Sequence, residues 1–269
     1  MTDRPPALDA PPPWAQSLRW DWPWQAHLAP YAQAVSSGLA EGLSVAEVAN
    51  QIAQLLPATA QPSVRFAEQA SLPAGRAYEA FIFEQRLCPT RDNLHDLFNA
   101  LTWLALPRTK ACLNALQAEQ IGRHGVGTRR GAVRDALTLF DENGAVLWAP
   151  EPVRQALKAR RWRDLFIGLR PLWSQCHLLV FGHALLEKLQ QPRKAITAHV
   201  YLPRCERPNT HLDTALADEI ATAPWAEKPY CPLPLLGVPG WYLPNENFSF
   251  YDDALVFRPA TEAGADQAT

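Results

Sequence analysis

The stretch "NLHDLFNALTWLALPRTKACLN", residues 93–114, decides the fold: read at 3.6 residues per turn, it is two helices folded back on each other at Pro107. Asp92 or Asn93 supplies the first cap, and a proline suits the first turn of the second helix, where its missing N–H would be unpaired anyway. Leu94, Leu97, Phe98, Leu101 and Leu104 make the apolar side of the first helix, and Cys112, Leu113 and Leu116 that of the second. Each helix also carries a polar row, His95, Asn99 and Thr102 flanked by Asp96 in one, Lys110, Asn114 and Gln117 in the other. A third row, His183, Glu187 and Gln190, runs through "FGHALLEKLQ", residues 181–190. Solvated rows are normally built from Lys, Glu and Arg. His, Asn, Thr and Gln instead suit a half-buried network in which each group finds a partner or costs about 1–3 kcal/mol. The rows are therefore expected to converge on a polar pocket.

Around this hairpin the chain has 269 residues, 48% of them hydrophobic, enough for a substantial core. A formal charge of -2 gives no general attraction to nucleic acid or to a membrane surface. Five cysteines without a CxxC pair read as free thiols in a reducing compartment. The first residues lack the apolar core of a signal peptide, and no run of about 18 apolar residues marks a membrane span, so a cytoplasmic protein is expected. Ten Trp and 25 Pro against one Met point to sharply ended elements and ordered loops.

Residues 1–13 read as a disordered Pro-rich lead, and 14–60 as a helical arm that pins Trp14, Trp20, Trp22 and Trp24 onto the body. Ser44 with Glu47 three residues later starts a helix that stops near Pro57. Residues 61–258 form the main domain and 259–269 a disordered tail. Within the domain, "RFAEQASLPAG" reads as strand and turn, "AYEAFIFEQRL" and "EPVRQALKARRWRDLF" as helices, "AITAHVYLP" as a strand and "HLDTALADEIATAP" as a short helix. "DALTLFDENGAVLW", residues 135–148, alternates on both sides of Asn143-Gly144 and predicts a β-hairpin. The expected class is α+β, a mostly helical core with a β-hairpin and a small mixed sheet, in a single large domain with its N-terminal arm.

Arg134 and Asp135 then stand at the mouth of a strand with Thr138 on one face, and Asp135 is placed to meet a histidine or a divalent cation. His95, Asp135, His183 and Glu187, with His199 as a further candidate, form a mixed imidazole and carboxylate set that suits zinc, manganese or iron. No dinucleotide fingerprint, phosphate loop, HExxH or GxSxG is present. Among the thiols only Cys88, before a proline and a polar loop, is a candidate nucleophile, and nothing in the sequence activates it. "GRHGVGTRRGAVR" and "KARRWR" are basic, with His124 and Trp162 able to stack on bases, though such runs are usually solvated faces.

The strings "NLHDLFNALTWLALPRTKACLN", "RDALTLFDENGAVL", "FGHALLEKL" and "FYDDALVFRP" together resemble a bacterial domain-of-unknown-function family, DUF3025, over roughly residues 60–258. By this resemblance His95, Asp96, Asn99, Lys110, Asn114, Arg134, Asp135, Thr138, Asp141, Glu142, His183 and Glu187 belong to shared motifs. The resemblance implies no reaction.

Two functions from different classes follow. In the first, a metal-assisted hydrolase acting on a phosphoester, His95, Asp135, His183 and Glu187 bind a divalent ion, with His95, Asp135 and Glu187 as catalytic groups. Asn99, Lys110, Asn114, Arg134 and Thr138 then bind the anionic substrate. In the second, a non-catalytic protein grips a small anion or a nucleic-acid backbone through Lys110, Arg129, Arg130 and Arg134. A purely structural polar network is the third possibility.

Overall fold

The computed structural model describes residues 11–125, 131–204 and 211–259. Two helices open it, α1 (Ala32–Ala40) and α2 (Val45–Leu55), and the second begins at the expected capping box: the Ser44 hydroxyl accepts from the Glu47 amide while the Glu47 carboxylate accepts from the Ser44 amide. A short parallel pair follows, β1 (Arg65–Glu68) and β2 (Leu87–Thr90), linked by α3 (Tyr78–Gln85), whose end is turned by Arg86 in the left-handed region.

The hairpin of residues 93–114 is present as α4 (Leu94–Ala105) and α5 (Pro107–His124). Asn93 caps α4 by accepting from the Asp96 amide, whereas Asp92 accepts from the Val45 amide at the start of α2. Pro107 opens α5, and the first-turn amides of Arg108 and Thr109, which have no partner within the helix, donate to Asp213 of α9 (Leu212–Thr222), a cap supplied by another helix.

The segment expected to be a β-hairpin is different. Residues Ala132–Asn143 form α6, and only Gly144–Trp148 are a strand, β3. Ala136, Leu137 and Phe140, with Val133 a turn earlier, follow the helical period and bury one face, and this outweighs the local alternation around Leu137 and Leu139. Gly144 is the hinge rather than a turn residue: a Cβ there would lie 2.3 Å from the Phe140 carbonyl oxygen.

After α7 (Glu151–Lys158) come β4 (His177–Val180), α8 (His183–Lys188), β5 (Thr197–Tyr201) and β6 (Tyr230–Pro234). The strands form one mixed sheet in the order β4-β3-β5-β6, with β3 antiparallel to β4 and parallel to β5. The molecule is thus mostly helical α+β. Trp24 is buried and meets Trp241 with ring centroids 6.1 Å apart, so the N-terminal segment shares the core of the rest of the chain.

One junction sets up the site. The Gly144 carbonyl accepts from both Phe181 and Gly182, at 3.0 and 2.8 Å, which ties the end of α6 to the start of α8. Glu142, two residues before that carbonyl, is therefore held beside His183, one residue after Gly182.

Candidate metal centre

Helices α3, α4, α5, α6 and α8 surround a cavity of about 320 Å³. The first two polar rows of the sequence both line it, through His95, Asp96 and Asn99 from α4 and Lys110, Asn114 and Gln117 from α5. From the third row only His183 does. Glu187 lies outside the lining, and Gln190 accepts instead from the Arg19 amide of the N-terminal segment. Helix α6 contributes Thr138, Asp141 and Glu142.

At one end of the cavity His95 and His183 meet edge to face, ring centroids 4.5 Å apart. Ligand-capable atoms of His95, Glu142 and His183 all lie within 4.8 Å of one another. The His95 Nδ1 stands 3.1 Å from Asp96, and its Nε2 faces Glu142 at 3.9 Å. A carboxylate on the far nitrogen of an imidazole is the arrangement that fixes the ring for metal ligation. Asp96 is itself gripped by the Arg91 guanidinium at 3.0 and 3.1 Å and by the Arg91 amide at 2.8 Å. Burial alone would raise the Asp96 carboxyl, but bonds from His95 and Arg91 win and hold it down at about 2.

The two imidazoles are driven apart. The Asp96 and Glu142 carboxylates push His95 up to about 9, against its partial burial. His183 is sealed in the protein, which lowers it to about 4, and the Lys110 and His95 charges add to that although Asp141 opposes it. Its Nδ1 has no hydrogen-bond partner, the Asp141 carboxylate being 3.9 Å away. Glu142 is held low first by His95, against its burial.

The remaining charges are matched. Lys110 Nζ donates to Asp141 at 2.5 Å and to Asn99 at 2.9 Å, and Arg134 faces Glu79 at 3.6 Å. With Arg91 on Asp96 and His95 beside Glu142, each lining carboxylate has its cation, while the buried Arg134 Nε has no hydrogen-bond partner. Asn99 also donates to the Tyr78 hydroxyl at 3.2 Å.

Two expected ligands are corrected. Asp135, on α6 rather than at a strand mouth, is half exposed and pairs with Lys228 at 2.9 Å. Glu187, four residues after His183 on the six-residue α8, does not line the cavity. His199 packs on Tyr230 in the sheet, outside the lining. Cys88 lines no nucleophilic site: it is fully buried, and burial raises its thiol to about 11. Trp162 is buried with its indole donating to the Arg258 carbonyl, so it offers no stacking face. Arg129 and Arg130 lie outside the described residues.

Glu142 is the member of the cluster that the sequence reading leaves out of the ligand set, because the expected hairpin places it on a strand beside the Asn143-Gly144 turn. Read at the helical period, Arg134, Thr138, Asp141 and Glu142 fall at i, i+4, i+7 and i+8 and form a fourth polar row.

The family model described as "Protein of unknown function (DUF3025)" matches residues 64–261, a segment that contains every residue of the cavity. Comparison with curated proteins and with solved structures returned no match. No helix among the described residues is long and apolar enough to cross a membrane.

Proposed function

For this chain, which belongs to the DUF3025 family, we propose a divalent-metal-assisted hydrolase whose ion is held by His95, Glu142 and His183. The observation that carries the reading is the cluster of two imidazoles and one carboxylate within 4.8 Å at the wall of a cavity. Two histidines and one carboxylate with open positions suit zinc or ferrous iron. Ligand atoms on one ion stand about 3.0–3.4 Å apart, so the three side chains close by about an ångström on binding. The ion supplies a bound water whose pKa falls toward 7, and polarises the bond to be cleaved.

The protein's own groups do the rest. Asp96 orients His95 so that Nε2 faces the cluster, and the unpartnered Nδ1 of His183 gives that ring a reason to accept an ion. Asp141, fixed by Lys110, lies 3.9 Å from His183 and is the lining carboxylate assigned to take a proton from water. The matched charges of the cavity favour a neutral bond, an ester or an amide, over a phosphoester. The four described cysteines are free, in keeping with a cytoplasmic setting.

The test is metal analysis and thermal melting of the purified protein with zinc, manganese or chelator, with hydrolysis of nitrophenyl esters and anilides followed in parallel. The proposal expects a divalent ion to raise the melting temperature and support turnover, and Glu142→Gln to remove both effects. A melting temperature that no divalent ion moves contradicts it.

A second reading rests on the same two rings without an ion. Neighbouring groups driven to about 9 and about 4 are poised as acid and base, His95 giving a proton and His183 taking one. It expects turnover that survives chelator and is lost in both His95→Gln and His183→Gln.

A further inference from the structure

The wall formed by α5 and α6 is a ladder of paired side chains. Lys110 meets Asp141 on one rung. Further along, Asn114 donates to the Glu79 carbonyl at 2.8 Å while the Glu79 carboxylate faces Arg134. Numbering therefore rises along α5 as it falls along α6, and one turn beyond the ion pair Asn114 comes opposite Thr138.

This middle rung holds two unsatisfied atoms, and on the next the Arg134 Nε is also without a partner. Asn114 is 5% exposed, and its Oδ1 has no partner. Its amide cannot be turned over to relieve this, because Nδ2 is already engaged with a carbonyl. Thr138 Oγ1 is also buried without a partner, although a helical threonine normally bonds back to the carbonyl four residues earlier. Both residues line the cavity. A buried acceptor left unpaired costs about 1–3 kcal/mol, so two on facing helix turns mark a place built for a ligand group.

We infer that the substrate is anchored there by a neutral amide edge, its N–H donating to Asn114 Oδ1 and its carbonyl accepting from the Thr138 hydroxyl. This inference rests on the hydrolase reading for the word substrate, and on the rung alone for the chemistry. A carboxylate or phosphate brings only acceptors to Asn114, and the nearby Lys110 and Arg134 are already matched. An ammonium group would need a free carboxylate, and Glu79 has Arg134. The rung lies about 6 Å along α5 from Lys110, so the amide is the handle of the substrate rather than the bond cleaved at the ion. A cavity of about 320 Å³ admits a small molecule.

The probes are benzamide, acetophenone, benzoate and benzyl alcohol, titrated by NMR into the full-length protein in chelator, with Thr138→Val and Asn114→Leu as variants. Benzamide should bind about tenfold or more tightly than the other three, and each variant should lose about tenfold of that affinity. Thr138→Val should also melt at or above the wild-type temperature, since it removes a hydroxyl with no partner, and this variant keeps the test valid if Asn114→Leu misfolds. Benzoate, acetophenone or benzyl alcohol binding as well as benzamide overturns the inference, as does failure of benzamide to bind or an unchanged affinity in Thr138→Val. Because no ion is present, a protein that prefers benzamide yet takes up no metal refutes the hydrolase reading alone, and one that takes up metal without this preference refutes the amide anchor alone.

Discussion

His95 and His183 carry the same ring 4.5 Å apart and are driven in opposite directions, one by two carboxylates, the other by loss of water. The difference sets a pH profile for the ion-free protein. His183 has its folded value, about 4, below its ordinary 6.5, so its contribution is present above 6.5 and is lost as the pH falls toward 4. His95 has its value raised to about 9, so its contribution is complete below 6.5 and is lost as the pH rises through 9. Urea midpoints should therefore fall on both sides of neutrality, and His95→Gln should flatten the alkaline side. An ion must displace the His95 proton, so its apparent affinity should climb about tenfold per pH unit up to about 9, which calorimetry across pH would read. Lys110 is 4% exposed, and removing it strands Asp141: Lys110→Met should cost about 3 kcal/mol in denaturant unfolding, and adding Asp141→Asn should restore most of it.

Among the elements, the junction of α6 with α8 decides whether ligands meet. A Cβ on Gly182 would stand 2.5 Å from the Glu142 carbonyl oxygen and 2.6 Å from the Asn143 nitrogen, both backbone atoms that cannot swing away. Gly182→Ala should cost about 2–3 kcal/mol and weaken divalent-ion stabilisation as His183 moves from Glu142, both readable in melts with and without zinc. Helices α2, α4 and α5 were legible in the sequence because each has a long apolar stripe and an explicit start signal, Ser44 with Glu47, Asn93, and Pro107. Helix α6 was not, since Asn143-Gly144 carries a strong turn signal and four alternating residues suffice to mimic a strand. The apolar period alone could not show that Gly144 is needed for its closeness to Phe140. That one misreading moved Asp135 into the site and Glu142 out of it.

For the molecule as a whole, a polar pocket between the helix rows was foreseeable from composition, while the partner of each row was not, because pairing depends on contacts between residues such as Lys110 and Asp141, far apart along the chain. The N-terminal segment belongs to the same cooperative unit, with Trp24 1% exposed against the body. Trp24→Ala should lower stability by about 3–5 kcal/mol while unfolding remains a single transition, and a separate early transition of the first residues would refute this shared core. The account as a whole depends on whether His95, Glu142 and His183 close on one ion. Anomalous diffraction from crystals grown with zinc measures this directly: the account predicts a single strong peak about 2.0–2.3 Å from a nitrogen of each ring and from a Glu142 oxygen. Crystals whose cavity shows no anomalous density in saturating zinc, with the two rings and Glu142 still apart, would contradict it.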